Sequence, residues 1–113
     1  MHELSIVMSI IDIAETHARN ANSSAIEEVE LDIGELSGVE MASFDFAWQQ
    51  ATRQTLLDGA HRQVNRIPGK AVCLDCSASF PIRQLYDPCP VCGNHLLDIV
   101  SGKELRVRSL IVV

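Results

Sequence analysis

The sequence predicts an α+β fold: two helices packed on a small sheet of about three strands, with a cysteine-bearing lobe inserted before the last strand. Three observations carry that prediction. Apolar residues recur at helical spacing over 4–19 and again over 40–56. Between these stretches lies the cleanest alternation in the chain, Glu28-Val29-Glu30-Leu31-Asp32-Ile33, which puts the acids on one face and Val29, Leu31 and Ile33 on the other. All four cysteines fall close together, as Cys73-Leu74-Asp75-Cys76 and Cys89-Pro90-Val91-Cys92, with twelve residues between the pairs.

The first helix carries a polar stripe of Ser5, Ser9, Asp12, Thr16 and Arg19. Its apolar face is Leu4, Val7, Met8, Ile11, Ala14 and Ala18, widened by Ile10 and Ile13. Glu15 precedes Arg19 by four residues, the favourable order for an ion pair along a helix. Residues 20–24 read as a polar loop, 28–33 as a half-buried strand, and Gly34 and Gly38 bracket a turn. In the second helix Phe44, Ala47, Trp48, Ala51 and Thr55 share a side, with Glu40 at the dipole-favoured start and Gly59 placed to cap the end. A second strand is expected over 61–67, and Pro68-Gly69 marks the lobe boundary. Within the lobe, short strands are expected at 70–72 and 79–82. Residues 96–100 read as extended, Ser101-Gly102 as a turn, and 105–108 with 111–113 as a closing strand of the body. Residues 1–67 together with 96–113 thus form one unit, and 68–95 the other.

Each Cys-x-x-Cys turns tightly enough to aim two thiolates at one point, and two facing turns make a tetrahedral sulfur cage. That donor set suits Zn²⁺, and four protein ligands close the shell, so Cys73, Cys76, Cys89 and Cys92 are expected to hold a structural zinc. Iron or a redox dithiol pair are the alternatives. The lobe is zinc-ribbon-like, and in so small a core the metal supplies much of its stability.

Composition narrows the function. The net charge of −6 is uneven: residues 1–60 carry −9, 61–95 carry +2 and 96–113 carry +1. An acidic body argues against nucleic acid as the main partner, because phosphate binding needs a basic face. Arg106 and Arg108 are candidates for a small basic face toward an acidic partner, or simply flank a strand edge. No stretch approaches the roughly 20 apolar residues of a membrane helix, and no basic leader opens the chain. A cytoplasmic location, with no membrane partner, is expected.

The chain begins Met1-His2-Glu3-Leu4-Ser5. A histidine at position 2, taken alone, is ordinarily a solvated chain end. Here the Met1 amine, the backbone nitrogen of His2 and its imidazole can close consecutive chelate rings, and Glu3 can add its backbone nitrogen or carboxylate. Nitrogen donors in a tetragonal set suit Ni²⁺ or Cu²⁺ and suit zinc poorly. A large second residue favours retention of Met1.

Met1-His2-Glu3-Leu4-Ser5, the segment Leu31-Asp32-Ile33-Gly34-Glu35-Leu36-Ser37-Gly38-Val39-Glu40 and the paired knuckles together resemble the HypA/HybF hydrogenase nickel-incorporation proteins, over the whole chain and in order. The resemblance implies a metallochaperone that helps insert Ni(II) into NiFe hydrogenase, and in some organisms serves urease. It implies a HypB-type GTPase and the hydrogenase large subunit precursor as partners. It makes His2 the key nickel ligand with Met1 and Glu3 beside it, and the four cysteines the ligands of structural zinc. One departure stands out. Some family members carry histidines where this chain has Ala78 and Gly93, so a plain four-cysteine site is expected, with His95 a solvated loop residue or, as the alternative, a substitute for the missing histidine.

Two other classes compete with this reading. A zinc-ribbon module binding protein or nucleic acid explains the cysteines but leaves the N-terminal pattern unused, and the lobe's single Tyr86 offers little for base stacking. An enzyme finds no support: there is no nucleophile–base pattern, phosphate-binding glycine loop or His-Glu-x-x-His motif. His17 is expected to be partly buried on the first helix, and His61 to interact with the end of the second.

Overall fold

An uninterrupted apolar period, with neither glycine nor proline, makes 3–20 a helix. In the computed structural model, which describes residues 2–113, helix α1 spans Glu3–Asn20. It buries Val7, Ile10, Ile11, Ala14 and Ala18. Strand β1 (Ile26–Gly34) follows, then α2 (Met41–Ala51), β2 (His61–Ile67), β3 (Lys70–Cys73), β4 (Ser79–Pro81), β5 (Leu97–Ser101) and β6 (Leu105–Val112). There are two three-stranded sheets, ordered β2-β1-β6 and β4-β3-β5. The molecule is elongated, 54 × 26 × 17 Å, with a body and a lobe.

In the body, β1 pairs parallel with β2 through the α2 crossover and antiparallel with β6. Val29, Leu31 and Ile33 are fully buried and meet Phe44 and Trp48 of α2 and the apolar face of α1. Arg62 of β2 lies against these aromatics, its guanidinium carbon 5.6 Å from the Phe44 ring and 5.3 Å from Trp48, and it pairs with Asp45 at 2.8 Å.

The opposite face of β1 departs from the expectation of solvated acids. Asp32 is fully buried. Its carboxylate accepts from Asn65 on β2 (2.9 Å) and from Arg106 (2.9 Å) and Arg108 (3.2 Å) on β6. Glu30 accepts from the same Asn65 and from Ser109. A bulge in β6 makes this possible: Leu31 faces Val107 and Glu30 faces Ser109, so Arg108 is the extra residue and joins Arg106 over Asp32. The two arginines are therefore engaged inside the chain.

Other expectations need correction. Leu4, Met8 and Ile13 remain exposed, because α1 is covered along a narrower stripe than its apolar residues span. Glu15 accepts from the Leu56 amide and Arg19 donates to Thr16, so the ion pair along the helix is replaced by a tie to the α2 connection. Helix α2 ends at Ala51, five residues early. The Thr52 hydroxyl donates back to the Trp48 carbonyl, and Gln54 turns left-handed at φ 62° with its amide held by Asp58. These turns drive Leu57 into the core. His17 and His61 are exposed.

The largest difference concerns 97–101. The sequence reading groups 96–113 with the body, but β5 pairs antiparallel with β3 inside the lobe. Body and lobe meet where backbones approach too closely for side chains. A Cβ on Gly34 would lie 1.9 Å from the Gly102 carbonyl oxygen, and one on Gly69 would lie 2.2 Å from that of Ile82. The amides of Gly34, Glu35 and Leu36 donate to Glu104, Ile67 and Gly102 respectively, and the Leu36 side chain packs into the lobe's core.

Candidate metal centres

The cysteine cage is built by two copies of one local structure. Cys73 closes β3, and its amide donates to Ala78 while Ser77 donates back to its carbonyl (both 2.9 Å). Cys89 repeats the pattern, with its amide on Asn94 (2.8 Å) and Gly93 donating back (2.9 Å). Ser77 and Gly93 each follow the second cysteine of a pair and are left-handed, at φ 64° and 79°. That turn reverses the chain so that the two thiols of each pair face inward. Tight turning also aims amides at sulfur: Cys76 donates to Cys73 Sγ at 3.5 Å and Val91 to Cys89 Sγ at 3.4 Å.

The four sulfurs lie within 4.8 Å of one another, with Cys73–Cys92 and Cys76–Cys89 separations of 3.6 Å. A tetrahedron with zinc–sulfur bonds of about 2.3 Å has edges of about 3.8 Å, so the cage has the size that zinc requires. Its electrostatics agree. The Cys76 amide holds the Cys73 thiol below its ordinary range, and the Cys92 amide, with Val91, brings Cys89 down to about 7. The Cys76 thiol receives the same help from the Ala78 amide, yet desolvation of its sulfur within the cage and the facing Cys89 push it up to about 12. Four thiolates crowded together cannot all ionise unless a cation offsets their repulsion. Cys73 and Cys89 are buried, whereas Cys76 and Cys92 reach the surface. Among the described residues only these four gather three or more potential ligands at one point, so His95 stays outside the cage.

The N-terminus contrasts with the cage. Met1, the first expected nickel ligand, lies outside the described residues. His2 is exposed at the N-cap position of α1, at φ −88° and ψ 96°, and its side chain caps nothing. Glu3 is the first helical residue, so its amide belongs to the group that α-helices leave without an internal partner. Its carboxylate accepts from the Glu40 amide at 3.1 Å, and that bond holds its pKa down. Glu40 in turn caps α2, accepting from the amides of Ala42 (3.2 Å) and Ser43 (2.7 Å). The sequence assigned Glu40 only the helix start; its tie to Glu3 joins positions 37 residues apart, and nothing in the local pattern signals it.

Comparison with known proteins gives a consistent result. The family model described as "Hydrogenase/urease nickel incorporation, metallochaperone, hypA" matches residues 1–112. The hydrogenase maturation factor HypA of Parabacteroides distasonis is 45% identical over 112 residues, covering 99% of this chain and 97% of that protein. The corresponding protein of Geobacter metallireducens is 43% identical over 110 residues, covering 97% of each. The solution structure of the Ni metallochaperone HypA from Helicobacter pylori aligns with a TM-score of 0.71 at 30% identity, covering 100% of this chain and 98% of that one. With the cage and the N-terminal pattern already in place, the chain belongs to the HypA family of hydrogenase/urease nickel-incorporation metallochaperones.

Proposed function

We propose that this chain carries Ni(II) at its N-terminus toward NiFe hydrogenase, and toward urease where one is made. The Met1 amine, the backbone nitrogen and imidazole of His2, and Glu3 are the proposed nickel ligands. Cys73, Cys76, Cys89 and Cys92 hold zinc, which supplies a fixed crosslink and no chemistry on the cargo. The observation that carries the reading is the exposed His2, whose side chain caps no helix amide, beside an anchored Glu3. A donor set of amine, amide and imidazole nitrogens favours nickel over zinc, so cargo and structural ion are sorted by ligand type. An open site at a chain end also lets the ion leave.

We take the protein to be a carrier rather than an enzyme, because membership of a maturation-factor family accounts for its chemical residues without a reaction. Its proposed partners are a HypB-type GTPase and the hydrogenase large subunit precursor, met in the cytoplasm; no helix among the described residues is long and apolar enough to cross a membrane. The functional division falls between a nickel-binding body, 1–67 with the closing strand, and a zinc-binding lobe that begins at 68 and includes β5.

Nickel titration of zinc-loaded protein with its native N-terminus, run beside His2→Ala, tests the proposal. The expected result is one Ni²⁺ bound per wild-type chain and a loss of at least about a hundredfold in affinity in the variant, near 2.7 kcal/mol, with zinc content unchanged. One extra residue before Met1 is expected to do similar damage by displacing the amine. Equal nickel binding by all three proteins would sink the reading.

A further inference from the structure

The four sulfurs of the cage differ in access. Cys73 and Cys89 are 0% and 1% exposed, whereas Cys76 and Cys92 reach solvent. The chain beside the two open cysteines gives no shelter: Leu74, Asp75 and Ser77 are exposed around the first, and Pro90, Val91 and Gly93 around the second. Contacts across the cage join one sulfur of each kind. Cys92 lies 3.6 Å from Cys73, and Cys76 lies 3.6 Å from Cys89. Each open sulfur therefore faces a sheltered one from the opposite knuckle, the arrangement of an attacked cysteine and a resolving one.

The backbone favours closure across the cage over closure within a pair. Within a pair the turn is already fixed by the amide bonds to sulfur from Cys76 and Val91 and by the left-handed Ser77 and Gly93. Drawing its two sulfurs together would deform that turn. Bonds from Cys73 to Cys92 and from Cys76 to Cys89 leave both turns as they are. They are nested in sequence and tie together the same four points that zinc ties, so they also restrict the unfolded chain.

We infer that Cys76 and Cys92 are oxidation sites for a peroxide, and that oxidation converts the cage into the disulfides Cys73–Cys92 and Cys76–Cys89, releasing zinc while the lobe stays folded. The Cys92 sulfur attacks one peroxide oxygen, the oxygen–oxygen bond breaks, and the departing hydroxide takes a proton to become water. The sulfur is left as a sulfenic acid. Cys73 thiolate attacks it, forming the sulfur–sulfur bond and expelling hydroxide, which also leaves as water. Cys76 and Cys89 repeat the sequence. Four thiolates, two peroxides and four protons thus give two disulfides and four waters, and the donors that held Zn²⁺ are gone. A dithiol reverses both bonds by exchange. Nothing in these steps depends on the nickel ligands.

The test treats full-length, zinc-loaded protein with hydrogen peroxide beside a coloured zinc indicator, then blocks free thiols and digests with trypsin without reductant. Arg83 lies between the cysteine pairs, and Lys70 and Lys103 flank them. Digestion therefore separates a peptide 71–83, carrying Cys73 and Cys76, from a peptide 84–103, carrying Cys89 and Cys92. The expected result is about one zinc released per two peroxides consumed and the two peptides joined, with fragmentation assigning the two stated bonds. Hydrogen exchange in β3, β4 and β5 should stay slow in the oxidised protein, and a dithiol with added zinc should restore the cage. Peptides that separate, each with an internal disulfide, would overturn the inference. So would zinc retained through about a hundredfold excess of peroxide, or fast exchange in the oxidised lobe. Limiting N-ethylmaleimide on the zinc-loaded protein should label Cys76 and Cys92 at least about fivefold ahead of Cys73 and Cys89. Equal labelling would remove the assignment of the attacked sulfurs.

Discussion

The cysteine cage and the proposed nickel site at the N-terminus are built on opposite plans. In the cage each sulfur is aimed by its own backbone turn, two of the four are buried, and the local structure is repeated almost bond for bond. At the N-terminus one side chain, Glu3, is fixed by a bond to Glu40, while His2 is exposed and its side chain caps no helix amide. Preorganised ligands in a closed shell hold an ion for the lifetime of the fold. Loosely ordered ligands at an open end lose conformational entropy each time they bind, which weakens retention and permits transfer. On the proposed reading, retention at the cage and release at the N-terminus follow from how much of each coordination sphere the backbone has already arranged.

The largest expected effect comes from breaking the cage. Cys89→Ser removes a buried ligand, and structural zinc sites contribute on the order of 10 kcal/mol to small metal-stapled folds. Zinc should fall from one per chain to near zero, and hydrogen exchange should become fast in β3, β4 and β5 while β1 stays protected. Continued protection of the lobe would mean that its apolar cluster of Ala71, Phe80 and Ile82 suffices without the metal.

The joint between the regions comes next. Gly34→Ala would force a methyl against the Gly102 carbonyl and is expected to cost about 2–3 kcal/mol, read as a lowered Tm. An unaltered Tm would show that the joint yields easily and that the lobe is loosely held.

Asp32→Ala tests the body that supports the open site, and should cost about 1.5–3 kcal/mol because Asn65, Arg106 and Arg108 lose their acceptor. The Asn65 hydrogen bond, with the two arginines, holds the Asp32 pKa below its ordinary value of 3.8 despite burial. A depressed folded-state pKa means that the stabilisation is complete above the unfolded pKa and fades as pH falls through the folded one. Denaturant titrations should therefore show a constant gap between wild type and variant from about pH 7 to 5, narrowing below about pH 4. A gap that persists undiminished in acid would assign the loss to packing instead of charge.

The smallest effect sharpens the open end. Glu40→Ala removes the α2 cap at a cost of about 1 kcal/mol but leaves the Glu40 amide in place for Glu3. Nickel affinity should fall only about two- to fivefold. A loss as large as that from His2→Ala would make the Glu40 carboxylate a nickel ligand in its own right.

Local pattern was enough wherever a structure is made by neighbours in the chain. The spacing of Cys73, Cys76, Cys89 and Cys92 specified the cage, because each turn closes within a few residues. The alternation at Val29, Leu31 and Ile33 specified the central strand, and the apolar period specified α1. The family was legible in motifs that lie in order along the chain. Pairing between distant segments was not legible. Burial of Asp32 depended on strands from both sides and on a bulge that places Arg108, β5 joined the lobe because β3 offered it an edge, and α2 stopped early when Thr52 and Gln54 found local partners that a helical period does not register. Exposure of Leu4, Met8 and Ile13 was decided by how far the sheet and α2 cover α1. By itself, then, the sequence determined which cysteines meet in the cage and which elements could form. Tertiary structure decided which acids are buried, which apolar side chains stay free and how Glu3 is anchored, because those outcomes depend on contacts between residues tens of positions apart.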